Sequence, residues 1–317
     1  MKIVKQVKKF LDHHGDRQRP LVCALSGGAD SLCLYYLLQK FRAFYSELHV
    51  VHVDHQWRQE SEQEANWLRE LAESHGISFH LKVLDRRQLK GNLEDACRRE
   101  RLKFFIESAQ SIGAQAVVLG HHADDQAETV LKRVLEGASF NKIPGIKAFS
   151  IQEGVPFWRP LLSVPKKEIV EWMTAQGCEW LEDLTNLDPQ YLRARMRQSI
   201  IPWLSEEFGK NITPPLCRLA SELEEVEGYL NRRVAPFHPL RTQQGSSVSY
   251  DFNQTIPSDP LEWKILVKTI CESESFNLSH SQLNDIVRLL CDNKNNKYVE
   301  SSGKRVKIDH GCLIFSA

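Results

Sequence analysis

Residues 21–31 read LVCALSGGADS. Five apolar residues in a row, closed by a turn signal, describe a strand buried on both faces. Two glycines follow, which reach positive φ without strain and let backbone amides come close to a ligand. With a helix beginning after them, those amides and the helix N-terminus form an anion site, and phosphate is its natural occupant. Asp30 would repel phosphate unless a cation lay between them. The stretch therefore implies a magnesium ion shared by Asp30 and phosphate oxygens, with Ser26 and Ser31 as hydroxyl donors. The competing reading is an ordinary strand-to-helix turn in which Asp30 or Ser31 is the N-cap. No GxxxxGK[ST] occurs in the chain and no GxGxxG opens this helix, so the two commoner nucleotide loops are absent.

Outward from this stretch the pattern alternates. LHVVHVDH (48–55), ISFHLKVL (77–84) and AVVLGHH (116–122) are further β-rich runs. Between them, Ala65, Leu68, Ala72 and His75, then Leu102, Phe105, Ala109 and Ile112, recur with helical period. Alternating strands and helices with near-continuous apolar strands predict an α/β fold, a parallel sheet with helices on both faces. Ligands of such sheets sit at the carboxyl ends of the strands. SGGADS, Asp54 with His55, and HHADDQAET (121–129) all fall there.

Beyond Gly137 the alternation weakens, and EEFGKNITPP (206–215) breaks it, which predicts a catalytic domain over 1–205 and a smaller, mainly helical domain over 206–317. Helices are expected in LCRLASELEEVEGYLNRRV (216–234), PLEWKILVKTICES (260–273) and SHSQLNDIVRLLCD (279–292), with a closing hairpin over SSGK (301–304). The 41 basic and 41 acidic residues cancel, so net charge decides nothing about nucleic acid. The eight cysteines form no CxxC pair, which argues for reduced thiols in a cytoplasm rather than a zinc ribbon or redox pair. No apolar run approaches the roughly 20 residues of a membrane span. Residues 1–16 read as a leading helix without the apolar core of a signal peptide.

SGGADS matches the SGGxDS loop of the PP-loop ATP pyrophosphatases, whose fold is that of the adenine nucleotide alpha hydrolases. Within that group the order HVDHQWRQES (52–61), NLEDACRRER (92–101), GHHADDQAETVLKRVLEG (120–137), RPLL (159–162) and WLEDLTNLDPQYLRARMRQSIIPWL (180–204) resembles the tRNA(Ile)-lysidine synthetases. The resemblance implies a two-step ligation. ATP adenylates the C2 oxygen of the wobble cytidine in a tRNA(Ile) with a CAU anticodon. Free lysine then displaces AMP to give lysidine, AMP and pyrophosphate being the other products. It further implies ATP and Mg2+ as cofactors, a homodimer, tRNA binding by the C-terminal domain and a cytoplasmic enzyme.

The same resemblance assigns Ser26, Gly27, Gly28, Ala29, Asp30 and Ser31 to the departing pyrophosphate, with Asp30 on the metal, while Asp54 ends the second strand, where nucleotide-binding sheets place a ribose partner. Arg98 and Arg101 match a paired-arginine pattern and imply phosphate or substrate contact. Arg58, Arg193, Arg195 and Arg197 are further substrate contacts by the same match, although the last three, two apart, share no single helical face. Leu102 stands where the family usually has tyrosine, and EGAS (136–139) replaces RGxG, putting Glu136 where a cation is expected.

His121, His122, Asp124, Asp125 and Glu128 could by type ligate a transition metal. Asp125 and Glu128, three apart, share a helix face, and two carboxylates suit an ammonium group or magnesium better than zinc. The attacking amine must be neutral, yet a carboxylate favours its charged form. Asp125 orienting lysine while Glu128 or a phosphate takes the proton resolves this, and the two carboxylates remain interchangeable at this level. The cysteine pairs that related cytidine thiolases use for a cluster or persulfide are absent.

Overall fold

The computed structural model describes residues 2–316 apart from 57–59, 86–90, 92, 182–189, 238, 254–255 and 302. Leu21–Ala24 forms β1, buried at every position as a strand covered on both faces must be. Its sheet contains β2 (Leu48–Asp54), β3 (Ser78–Val83), β4 (Val117–Val118), β5 (Phe149–Gln152) and β6 (Val155–Trp158) in the order β3-β2-β1-β4-β6-β5. All neighbours are parallel except the β5–β6 hairpin at one edge. The four runs read from sequence are β1 to β4, and the hairpin is an addition.

Before, between and after the strands lie α1 (Lys2–His14), α2 (Ala29–Lys40), α3 (Ser61–Ser74), α4 (Leu93–Ile112), α5 (Ala123–Leu135), α6 (Lys166–Ala175), α7 (Leu192–Arg195), a π turn at Met196–Ile200, and α8 (Ile201–Glu207). Side-chain alternation along β1 separates two cores. Leu21, Cys23 and Leu25 pack with Ile3, Val7 and Leu11 of α1, with α2, and with Ile169, Trp172 and Met173 of α6. Val22 and Ala24 face the other way, onto Cys97, Phe105, Ile106 and Ala109 of α4. Leu102 is half-buried against this second core, so the residue standing in for tyrosine contributes packing.

The chain divides into compact units Met1–Ser221 and Glu222–Ala317, the boundary falling within α9 (Thr213–Val234). The second unit is an antiparallel sheet β7-β8-β11-β10-β9, formed by Leu240–Gln244, Ser247–Asp251, Cys312–Phe315, Lys304–Asp309 and Lys297–Ser301. Its inner face carries Val248, Tyr250, Val306, Ile308, Leu313 and Phe315, closed by α10 (Pro260–Ser273) and α11 (His280–Cys291). The expected helices and closing hairpin are present, and β7–β8 joins them without having been read from sequence. Among the described residues no helix is long and apolar enough to cross a membrane.

Candidate active site

Strand order runs from β1 outward in both directions, so β1 and β4 are neighbours at the point where the sheet's winding reverses. Gly27, at φ 87°, makes the turn after β1. A Cβ there would also come within 2.6 Å of Leu181 Cδ1, whose backbone N–H donates to Gly27 O. The following helix begins at Ala29 with Gly28 as its N-cap and no side-chain cap. The simple capping role is therefore not what Asp30 or Ser31 does. Ser31 Oγ instead donates to Gly28 O at 3.0 Å and accepts from Ser26 N at 3.1 Å, bracing the loop, while Ser26 itself is exposed. Asp30 lies inside the first turn of α2, its carboxylate about one-quarter exposed.

The loop after β4 is pressed against this turn. A Cβ on Gly120 would lie 3.0 Å from both Asp30 C and Ser31 N, atoms of a buried helix that cannot easily retreat. Gly120→Ala is expected to cost about 1–3 kcal/mol of stability through overpacking. It should also lower ATP turnover by displacing Asp30, both effects being read by thermal unfolding and pyrophosphate release.

His122 caps α5 and joins the two loops. Its Nδ1 accepts from Asp124 N at 3.2 Å, so its proton sits on Nε2, which lies 3.4 Å from Asp125 Oδ2 and 3.6 Å from Asp30 Oδ2. Burial works to lower the His122 pKa, but Asp124, Asp125 and Asp30 outweigh it and the net shift is upward. Asp125 completes a reciprocal cap by accepting from His122 N at 3.0 Å. Asp125 thus helps build the helix start with one oxygen and presents the other to the site.

That second oxygen, Oδ1, accepts from Arg197 at 3.1 Å, and Arg197 Nε donates to Glu128 Oε1 at 2.7 Å. Arg193 Nε stands 3.8 Å from Glu128 Oε2. Arg193 and Arg197, four apart along the end of α7 and the π turn, therefore converge on one carboxylate, whereas Arg195 donates to Gln190 O. Glu128 is only 1% exposed, and among the described residues its Oε2 accepts no hydrogen bond. Burial raises its pKa despite the arginines. Asp125 moves the opposite way, since His122, His121 and Arg197 overcome its burial. Two neighbouring carboxylates thus differ in proton affinity.

Arg101 belongs to the same electrostatic field: its pKa is lowered by desolvation and then by Arg98 and Arg193. His121 is held neutral, its pKa lowered to about 4 by burial and by Arg159, Arg193 and Arg101 against the pull of Asp125. Arg159 of the RPLL segment is buried and donates to Lys147 O and Ser150 Oγ, both at 3.0 Å. Arg98 is exposed on α4. Asp54, buried at the end of β2, uses Oδ1 to accept from Gln56 N at 2.8 Å, which shapes its own turn. Arg58 lies outside the described residues. Glu136 at the EGAS departure is an exposed C-cap paired with Lys132 at 3.7 Å.

One residue of the site was not read from sequence. Lys166 Nζ donates to Asp30 Oδ1 at 2.6 Å, and its backbone N–H donates to Asp124 Oδ2 at 2.8 Å. Its only local signal is a lysine in the first turn of a helix, where positive charge opposes the helix dipole.

In the second unit, Arg233 of α9 pairs with buried Glu262 at 2.8 Å. Arg305 pairs with Glu300 and lies over the Tyr298 ring, and Lys304 Nζ donates to Ser275 O. These cations already have partners within the unit.

The chain is similar to known proteins along most of its length. The family described as the PP-loop domain matches residues 1–204. The tRNA(Ile)-lysidine synthase of Protochlamydia amoebophila (strain UWE25) is 40% identical over 312 residues, 98% of this chain and 68% of that protein. That of Chlamydia pneumoniae is 43% identical over 243 residues, 76% of this chain and 75% of that protein. Among solved structures, the U34-tRNA thiolase NcsA from Methanococcus maripaludis superposes with a TM-score of 0.58 at 19% identity, covering 71% of this chain and 78% of that one. This last likeness speaks to the fold alone.

Proposed function

The chain belongs to the tRNA(Ile)-lysidine synthase family of PP-loop proteins, and we infer that it performs that family's ATP-dependent formation of lysidine on tRNA(Ile) with the residues described above. ATP is cleaved at the Ser26–Ser31 loop. The C2 oxygen of the wobble cytidine, in a CAU anticodon, attacks the α phosphorus, and the bond to the β phosphate breaks. Pyrophosphate departs into the glycine turn. A pyrimidine oxygen is a poor leaving group until esterified, so the AMP ester is what permits an amine of free lysine to attack C2 and expel AMP.

The observation that carries the lysine reading is the buried pair Asp125 and Glu128. They already hold Arg197, and Glu128 Oε2, with Arg193 Nε 3.8 Å away, is a buried acceptor that receives no hydrogen bond among the described residues. A buried acceptor left unsatisfied is costly, and an ammonium group would satisfy it. Asp125, with its lowered pKa, orients that ammonium. Glu128, with its raised pKa, is better matched to take the proton the amine must lose. Arg101, Arg193 and Arg197 meet the charge that develops on phosphate as AMP forms and leaves, with Arg98, Arg58 and Arg195 as further substrate contacts and Asp54 on the nucleotide side.

Asp30 fits a magnesium ion. Its Oδ2 meets His122 Nε2 at 3.6 Å, too long for a strong hydrogen bond, and so retains accepting capacity. One carboxylate with phosphate oxygens is the ligand set magnesium takes in nucleotide sites. When bound, the ion would offset phosphate charge. In this reading residues 1–205 carry the chemistry, residues 206–317 add tRNA contact, and the enzyme is a cytoplasmic homodimer.

Purified protein given labelled lysine, ATP and magnesium is expected to label a tRNA(Ile) CAU transcript and not a methionine tRNA with the same anticodon. Pyrophosphate release without lysine incorporation would leave the loop assignment standing and overturn the choice of nucleophile.

A further inference from the structure

We propose that Lys166 is the cation that binds the departing pyrophosphate, a phosphate-contacting residue delivered to the SGGADS loop from α6. The inference rests on the reading that ATP is cleaved at this loop.

Three observations carry it. The first is position. Lys166 Nζ lies 2.6 Å from Asp30 Oδ1, and Asp30 is the second residue of the helix that opens on Gly28. The ammonium therefore stands beside the turn whose amides would receive phosphate. It has three protons, and the contact with Asp30 occupies one. The side chain is 39% exposed, so a ligand can reach it.

The second is rigidity. The Lys166 backbone N–H is fixed to Asp124 Oδ2 in the first turn of α5. Ile169 and Met173 of its helix are fully buried in the core that also holds Leu32 and Leu34 of α2. The root of the side chain is thereby set against both loops of the site. A contact aimed at the loop then costs little reorganisation when pyrophosphate forms.

The third is local cost. Lys166 occupies the first position of α6, where a positive charge opposes the helix dipole. Its neighbour Lys167 offers a contrast: it is largely exposed and pairs with Glu171 at 3.9 Å along the same helix. Lys166 instead crosses to a residue 136 positions away.

In the cleavage step the bond between the α phosphorus and the bridging oxygen breaks, and the electron pair stays with pyrophosphate. Lys166 donates a hydrogen bond to that growing negative charge.

The test is direct binding of inorganic pyrophosphate and of AMP, with magnesium present, by calorimetry on wild type, Lys166→Gln, Lys166→Arg and the control Lys167→Gln. Lys166→Gln is expected to weaken pyrophosphate at least tenfold while AMP binding stays within about twofold. Lys166→Arg should restore most of the loss, and Lys167→Gln should match wild type. Unchanged pyrophosphate affinity in Lys166→Gln would overturn the proposal. So would an equal loss for AMP and pyrophosphate in both Lys166 variants, since that marks a structural role. Neither readout involves tRNA or lysine, so failure of the lysidine reading leaves this result interpretable.

Discussion

Asp30→Asn is expected to lower ATP-dependent pyrophosphate release by about 10²–10³-fold, the range found when one preorganised electrostatic contact to a transition state is lost. The substitution keeps the shape of the side chain and removes its charge. Lys166 then loses the anion that holds it at 2.6 Å, and His122 loses one of three carboxylates that raise its pKa. The carboxylate assigned to magnesium disappears at the same time. Stability should change little, because Asp30 is partly exposed and no backbone N–H of the helix start depends on its side chain. Unfolding temperature and AMP binding measured beside turnover separate the two effects. Wild-type turnover in Asp30→Asn would remove the metal and pyrophosphate roles together.

Glu128→Gln should act on the other half of the reaction. Losing a charge-assisted hydrogen bond costs about 1.5–3 kcal/mol, which corresponds to a lysine KM raised roughly ten- to hundredfold. The lysine-dependent rate should fall further as the proton acceptor is lost. Pyrophosphate release in the presence of tRNA should stay within a few-fold of wild type, because Glu128 faces Arg193 and Arg197 and not Asp30. Burial raises the Glu128 pKa, so as pH falls the group becomes neutral above the ordinary glutamate range and loses its hold on an ammonium. Wild-type lysine KM should therefore rise on the acid side, beginning above the ordinary glutamate range. In Glu128→Gln it should be high and lack that limb. A variant that lost pyrophosphate release and lysine incorporation equally would show Glu128 acting in activation instead.

Much of the site could be read in the sequence because its parts are local in the chain. A buried strand closing on glycines, and two carboxylates three apart on a helix, are patterns within ten residues. What the pattern did not contain was their mutual arrangement. Three arginines two apart share no helix face as a set, yet Arg193 and Arg197 meet at Glu128 because the chain is helical through the π turn. Asp125 reads from sequence as a carboxylate for an ammonium group, and in the structure it also builds the helix start, one oxygen on His122 N and the other on Arg197. The edge strands β5 and β7 were missed for another reason. β5 alternates exposed and half-buried residues, and every position of β7 is exposed, so these edge strands lack the apolar signal of a central strand.

By itself the sequence determined the parallel sheet, the loop at the end of β1 and the family, since each depends on residue type and spacing along the chain. Only the tertiary structure decided that Lys166 stands on Asp30 and Arg197 on Asp125 and Glu128. Those contacts join residues 136, 72 and 69 positions apart. No periodicity spans such separations, and a charged side chain acquires its partner only when the burial of apolar surface on both faces of the sheet brings its helix to the strand ends.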